Sequence, residues 1–299
     1  MVDIDKWINF NWVSADMNGR RFEKTAMTVD VDLSLTGTKE IMQFDLGLGA
    51  TIFYYSMLSD FISKETIKLE SGKAVINGQK TAFILDQINI KMGNEIFSKN
   101  GFGLLYDHPL DSNDVIYHED LPIGSIGVDF CEDKVLIIDY PNCRFSIFDS
   151  LPGNYAHVNF TSFRRNGHFI ILPFEIQNKI EHFIFDTGSS LFSMAVDKDI
   201  WVKIPKKGKP REFNISAWNS IYTAIENAAD IDIKFDGASL NKYPIYYCSH
   251  LDKDRSYYRS IGVSGIVGNT YFLEKTVIID FKELKIGTVE NMPITSQPL

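Results

Sequence analysis

Cysteine and long apolar runs are scarce in this sequence of 299 residues, and basic residues are outnumbered by acidic ones. Its three cysteines show no Cys-x-x-Cys pair or Cys/His ligand spacing, which argues against structural zinc, and their odd number requires a free thiol or an intermolecular bond. No segment approaches the roughly 18 apolar residues of a membrane helix, so no membrane span is expected. The net charge of −9 disfavours nucleic acid as a partner.

The sequence also lacks an apolar leader, a low-complexity tract and the Gly-x-Ser-x-Gly elbow of serine hydrolases. The protein is therefore expected to be cytoplasmic, or secreted or periplasmic with its leader removed, and the compartment stays open. Apolar residues, in contrast, make up 44% of the chain and include 22 Phe. That is ample for a large core, and the length allows two domains.

The sequence repeats itself once, with one offset found at three places. Three pairs are each separated by 141 residues: Asp45 and Asp186 (186 minus 45), Gly127 and Gly268 (268 minus 127), and Lys134 and Lys275 (275 minus 134), which begin matching apolar segments. Matches in a single register predict a duplicated domain rather than a short-period repeat. We expect residues 1–150 to form an N-terminal β lobe carrying Asp45, and residues 151–299 a C-terminal β lobe carrying Asp186.

Within each half, short alternating segments separated by turns predict β-strands. Residues 169–176 and 182–185 are expected to be strands that lead into Asp186, and the Asn-Gly pair at 77–78 predicts a hairpin. Short helices are expected at 56–63 and 220–227. The spacing of turns favours barrel-like or sandwich-like lobes.

Residues 183–190, Phe-Ile-Phe-Asp-Thr-Gly-Ser-Ser, resemble the active-site loop of pepsin-like and retroviral-type aspartic proteases. Each lobe in that family also has a later apolar-apolar-Gly segment that braces the loop; residues 266–268 fit it well and residues 125–127 less well. The resemblance implies an all-β, pepsin-like bilobal acid-protease fold with two β-barrel lobes related by a pseudo-twofold axis. Asp45 and Asp186 would face each other between them.

The resemblance also implies a reaction. Asp45 and Asp186 would share one proton, because two close carboxylates do not both ionise readily, an effect for which aspartic proteases are the standard example. One would activate a water and the other would hydrogen-bond the peptide carbonyl, with a peptide or unfolded protein as substrate and no metal or organic cofactor. The supporting loop residues would be Gly47, Thr187, Gly188 and Ser189.

The first loop departs from the family pattern. Leu46 and Leu48 stand where Thr187 and Ser189 stand in the second loop, so Asp45 is expected to have fewer hydrogen-bond donors and a more apolar setting. Both conditions favour its protonated form, which would make Asp45 the acid and Asp186 the base. They are equally compatible with a weakened activity or none.

Two functions therefore remain open. One is an aspartic endopeptidase that acts through the carboxylate pair, and the alternative is a non-catalytic pepsin-like protein that binds peptides or protein partners in the cleft between the lobes. In the family, a hairpin of the first lobe covers the cleft and carries a tyrosine, whereas the hairpin at 77–78 has no tyrosine. Phe83 is the nearest aromatic residue, and neither it nor Trp218 is assigned a role.

Overall fold

The computed structural model describes residues 6–64, 67–76, 79–105, 121–217, 220–240 and 242–290. Nearly all of their regular structure is β. The described part of the chain also contains four short helices: α1 (Tyr55–Ser63), α2 (Lys198–Trp201), α3 (Ser249–Lys253) and α4 (Arg255–Ser260). Helix α1 confirms the expectation of a helix at 56–63.

The described residues of the first half form thirteen strands: β1 (Ile8–Asn9), β2 (Asn11–Met17), β3 (Arg20–Leu33), β4 (Lys39–Phe44), β5 (Ile52–Tyr54), β6 (Leu69–Ile76), β7 (Gln79–Ile84), β8 (Ile88–Met92), β9 (Glu95–Lys99), β10 (Phe102–Leu105), β11 (Gly124–Ile126), β12 (Val135–Asp139) and β13 (Arg144–Phe148). Those of the second half form thirteen more: β14 (Phe160–Ser162), β15 (Arg164–Asn166), β16 (Phe169–Ile176), β17 (Lys179–Phe185), β18 (Ala195–Val196), β19 (Lys206–Ala217), β20 (Ser220–Ala229), β21 (Ile233–Phe235), β22 (Ala238–Ser239), β23 (Pro244–Cys248), β24 (Gly265–Val267), β25 (Lys275–Asp280) and β26 (Lys285–Glu290).

Each half builds a ten-stranded sheet, and the two sheets have the same strand order. The first runs β6-β7-β10-β5-β11-β4-β3-β8-β9 with β2 paired to β3, and the second runs β19-β20-β23-β18-β24-β17-β16-β21-β22 with β15 paired to β16. Every strand of one sheet has a counterpart at the same place in the other. The parallel pairs correspond too, because β4 with β11 and β5 with β10 match β17 with β24 and β18 with β23.

A six-stranded sheet joins the halves and is itself symmetric. Its order is β1-β13-β12-β25-β26-β14, so its centre is the antiparallel pair of β12 and β25, one strand from each half. All of β12 and nearly all of β25 are buried. Asp139 and Asp280 end these strands and bond to residues that follow. Asp139 accepts from Arg144 on β13 at 2.9 Å, and Asp280 accepts from the Lys282 backbone N–H at 3.1 Å. These bonds give both aspartates a structural role.

The predicted fold class, an all-β protein of two similar lobes, is confirmed by this topology. The boundary between residues 150 and 151 stays a prediction, although the two ten-stranded sheets lie on either side of it. Cys131, Cys143 and Cys248 are unpaired, which agrees with the odd cysteine count. No helix in the described ranges is long and apolar enough to cross a membrane.

The helix expected at 220–227 is wrong. These residues belong to β20, which pairs with β19 on one side and with β23 on the other. Tyr222 and Ala224 are buried while Ile221 is exposed, so the pairing of strands on both sides decided the conformation of a segment whose apolar spacing also fits a helix. The Asn-Gly pair at 77–78 and Trp218 lie outside the described residues, although β6 and β7 pair antiparallel as the hairpin predicts.

Candidate functional site

Each of the two predicted aspartates follows a strand that ends in a fully buried phenylalanine. Phe44 closes β4 and Phe185 closes β17, and both side chains are 0% exposed. Just beyond them, the backbone N–H of Asp45 donates to the carbonyl of Ile126 and that of Asp186 to the carbonyl of Val267, both at 2.9 Å. The buried ring and the parallel neighbouring strand therefore fix the start of each loop.

The two repeated glycines after these neighbouring strands brace the loops from behind. A Cβ atom on Gly127 would lie 2.6 Å from the carbonyl carbon of Ala50, and one on Gly268 would lie 2.1 Å from the carbonyl oxygen of Ser189. Neither glycine has a positive φ, since their values are −89° and −94°. What these positions need is space for the loop backbone, which explains why the glycines repeat at the same offset as the aspartates.

The loops are joined across the lobes by Thr187. Its Oγ1 accepts a hydrogen bond from the backbone N–H of Leu46 at 2.8 Å and donates one to the carbonyl of Phe44 at 3.0 Å. Thr187 is 0% exposed, so these bonds form away from water. The reverse connection is missing because Leu46 has no hydroxyl; its side chain is also 0% exposed and packs in the main core.

The carboxyl groups of Asp45 and Asp186 meet and share a hydrogen bond. The glycine two positions after each aspartate packs against the aspartate of the other lobe. A Cβ on Gly47 would lie 2.6 Å from Cγ of Asp186, and one on Gly188 would lie 2.5 Å from Cγ of Asp45. Any side chain at either position would push the carboxyl groups apart, so both glycines are required for this contact.

The hydrogen bonds to the two carboxyl groups are unequal. Asp186 accepts three bonds from its own loop, from the backbone N–H of Gly188 at 2.9 Å, the backbone N–H of Ser189 at 3.2 Å and the Ser189 hydroxyl at 2.8 Å. Asp45 accepts one from its own loop, from the Gly47 N–H at 2.9 Å. The asymmetry expected from the sequence is present.

Burial raises the pKa of Asp45 well above its usual value, and the negative charge and the hydrogen bond of Asp186 raise it further. The backbone N–H groups of Gly47 and Gly188 oppose this rise without cancelling it. Asp45 is densely surrounded by protein, yet both it and Asp186 keep part of their surface accessible to solvent. The direction agrees with the expectation that Asp45 is the proton-bearing member of the pair.

All six predicted residues are brought together: Asp45, Gly47, Asp186, Thr187, Gly188 and Ser189. Leu48, at the position equivalent to Ser189, instead packs beside a small apolar cluster with Ile52. Phe83 on β7 is 40% exposed.

Sequence reasoning missed a buried amide behind the second loop. Asn269 is 0% exposed and donates to the Ser190 hydroxyl at 2.6 Å and to the carbonyl of Thr187 at 3.2 Å. It accepts a bond from the Tyr140 hydroxyl at 2.7 Å. A signal was available, because Asn269 directly follows the repeated Gly268. Its counterpart in the first half is Val128, so at this one position the second loop has a polar contact where the first has an apolar residue.

No protein-family model matches the chain, and no curated protein matches it by sequence. Among solved structures, it is similar to the crystal structure of an aspartic proteinase from Irpex lacteus, with 97% of this chain and 98% of that chain covered. The identity is 11% and the TM-score is 0.48. A sequence identity and a TM-score at this level do not decide the activity of the chain.

Proposed function

We propose that the protein is an aspartic endopeptidase that hydrolyses peptide bonds in extended peptides or unfolded proteins held between its lobes. The observation that carries the proposal is the hydrogen-bonded pair of Asp45 and Asp186, each partly accessible and each at the tip of an equivalent loop. In this arrangement the negative charge of Asp186 favours the protonated form of Asp45, which leaves one carboxyl group able to act as an acid.

In the proposed reaction Asp186 is the base and Asp45 the acid. Three donors support negative charge on Asp186, so its carboxylate takes a proton from a water held between the two side chains while the water oxygen bonds to the peptide carbonyl carbon. Protonated Asp45 donates a hydrogen bond to the carbonyl oxygen as that oxygen gains charge. The proton on Asp186 then passes to the departing amine, which leaves a new carboxyl terminus and a new amino terminus.

The alternative of a non-catalytic peptide-binding protein is favoured by one observation. The first loop gives Asp45 no hydroxyl donor, because Leu46 and Leu48 occupy the equivalent positions. A cleft of this kind is able to hold a peptide even where the carboxyl pair does no chemistry.

The test is hydrolysis of an acid-denatured protein between pH 2 and 7, with and without a statine-type transition-state mimic. We expect activity in acid, inhibition by the mimic, and loss of activity in Asp45→Asn and in Asp186→Asn, because a shared proton needs both carboxyl groups. Asp30→Asn, an exposed change elsewhere, is the matched control. Unchanged turnover in Asp45→Asn refutes the mechanism. Binding of peptides without cleavage at any pH supports the alternative.

Leu48→Ser separates two interpretations of the apolar loop. If the loop tunes Asp45 as the acid, a hydroxyl at this position lowers the pKa of Asp45, and the limb of the pH–rate profile set by Asp45 moves to lower pH with a similar or lower maximum. If the loop is a handicap, the maximum rate rises instead. Leu48 is the better site for this change because Leu46 is fully buried in the core.

A further inference from the structure

A histidine of the second lobe lies against the aspartate loop of the first lobe. His168 follows Gly167, whose φ of +58° turns the chain between β15 and β16. Its ring is tilted against Phe169 with the centroids 4.1 Å apart. The backbone of Gly47 also lies near the ring and raises its pKa.

The same ring occupies the space beside Gly49. A Cβ atom on Gly49 would lie 2.6 Å from both Cγ and Nδ1 of His168. Gly49 does not have a positive φ, so the glycine is needed here for close approach and not for its backbone freedom. Histidine and glycine are therefore fitted to each other across the boundary between the lobes.

The contact with His168 adds to the hold that Thr187 of the second lobe has on the first loop. Thr187 bonds to the loop at Leu46 and Phe44, and no side chain of the first loop returns an equivalent hydroxyl bond. We propose that His168 is a positioning residue, which holds the first aspartate loop at Gly49 and thereby fixes Asp45 against Asp186. Its effect on catalysis rests on the proposed peptidase function, whereas the contact itself does not.

The hold does not depend on the charge of the ring. Burial and the positive charge of Arg165 on β15 lower the pKa of His168, and the Gly47 backbone partly opposes them. Arg165 is itself paired with Glu132 at 3.2 Å. The ring atoms that contact Gly49 are present in either protonation state.

The first test measures the contact without any activity. Gly49→Ala is made in the parent and in a His168→Ala background, and thermal unfolding is followed in all four proteins. We expect Gly49→Ala to lower the melting temperature when His168 is present and to have much less effect when the ring is absent. Gly153→Ala is the control, because nothing lies within 4 Å of a Cβ there. An equal loss in both backgrounds overturns the fit of histidine and glycine.

The second test measures positioning through activity. His168→Ala removes the ring, and His168→Phe keeps a flat ring at the same place. We expect His168→Ala to lower kcat roughly tenfold with KM little changed, and His168→Phe to recover part of the loss because its ring fills the space beside Gly49. His157→Ala at an exposed position is the matched control. Equal kcat values in the parent and His168→Ala overturn the proposal.

If the parent protein proves inactive, the proposed function fails, but the positioning role of His168 is still tested by hydrogen exchange. The backbone N–H of Leu48 donates to the carbonyl of Asp45 at 3.1 Å within the first loop. Its hydrogen exchange should be faster in His168→Ala than in the parent. Equal exchange rates refute the positioning role.

Discussion

Thr187→Val is the most direct perturbation of the contact between the two aspartate loops. Valine keeps the branched shape of threonine, so the buried volume is nearly preserved while the hydroxyl is lost. The Leu46 N–H, now bonded at 2.8 Å, is left in a site where both Leu46 and Thr187 are 0% exposed, and the Phe44 carbonyl loses a donor at 3.0 Å. No water replaces the hydroxyl without displacing packed side chains.

The expected cost follows from these two bonds. A buried donor left without a partner costs about 1–3 kcal/mol, and the loss at the carbonyl adds less because a carbonyl has a second lone pair. We therefore expect the free energy of unfolding to fall by about 2–3 kcal/mol. At about 2–4 °C per kcal/mol for a protein of this size class, the melting temperature should fall by roughly 4–12 °C.

The assay is urea and thermal unfolding of three variants side by side. Thr187→Ser keeps the hydroxyl and should cost about 1 kcal/mol for the lost methyl group. Thr25→Val removes one hydroxyl bond, to the Val13 carbonyl at 3.0 Å, from a partly buried site and should cost about 1 kcal/mol as well. If Thr187→Val is no more destabilising than these two, the hydroxyl does not carry the connection between the loops.

Three further predictions concern stability. Asp45→Asn should raise the melting temperature at neutral pH. The raised pKa means that Asp45 binds its proton more tightly in the folded protein than in the unfolded chain, so its contribution to folding stability is lost as pH rises through the folded pKa. The gain in the variant should therefore shrink in acid, and a lower melting temperature at both pH values contradicts this. Gly268→Ala should destabilise the protein and abolish activity, since its Cβ would lie 2.1 Å from the Ser189 carbonyl, whereas Gly153→Ala should do neither; unfolding and hydrolysis assays decide. Phe22→Ala should lower the free energy of unfolding in urea by about 3–5 kcal/mol. Phe22 of the first lobe is 7% exposed, and its ring centroid lies 5.2 Å from that of Phe213 in the second lobe. A cost under about 1 kcal/mol refutes this packing.

The architecture was predictable because a duplication relates many residues of one half to residues of the other by a single offset. The offset of 141 pairs the two loops, the two bracing glycines and the strands β12 and β25 without any knowledge of contacts. Identical strand order in the two large sheets is its consequence. The departure at Leu46 and Leu48 was equally visible, because a repeat exposes each position where the halves differ.

What the sequence did not reveal are contacts that occur once. His168 has no histidine counterpart and Asn269 no polar counterpart in the first half, and each acts on residues far away in the chain. Nothing local marks His168, since a lone histidine after a glycine is usually a turn residue, whereas Asn269 is marked only by its place after the repeated Gly268. The helix expected at 220–227 fails for a related reason. These residues form β20, and its pairing with β19 and with the more distant β23 decides its conformation.

The two halves thus share a framework and divide the polar contacts unequally. The second loop has the hydroxyls of Thr187 and Ser189 and the amide of Asn269 behind it. The first loop has leucines, a more apolar setting, and an aspartate whose pKa is raised well above its usual value. A symmetric pair would hold one proton with no preference between its members, whereas unequal hydrogen bonding assigns the proton to one of them. In the proposed reaction, the same inequality would make the acid and the base different residues before any substrate is bound.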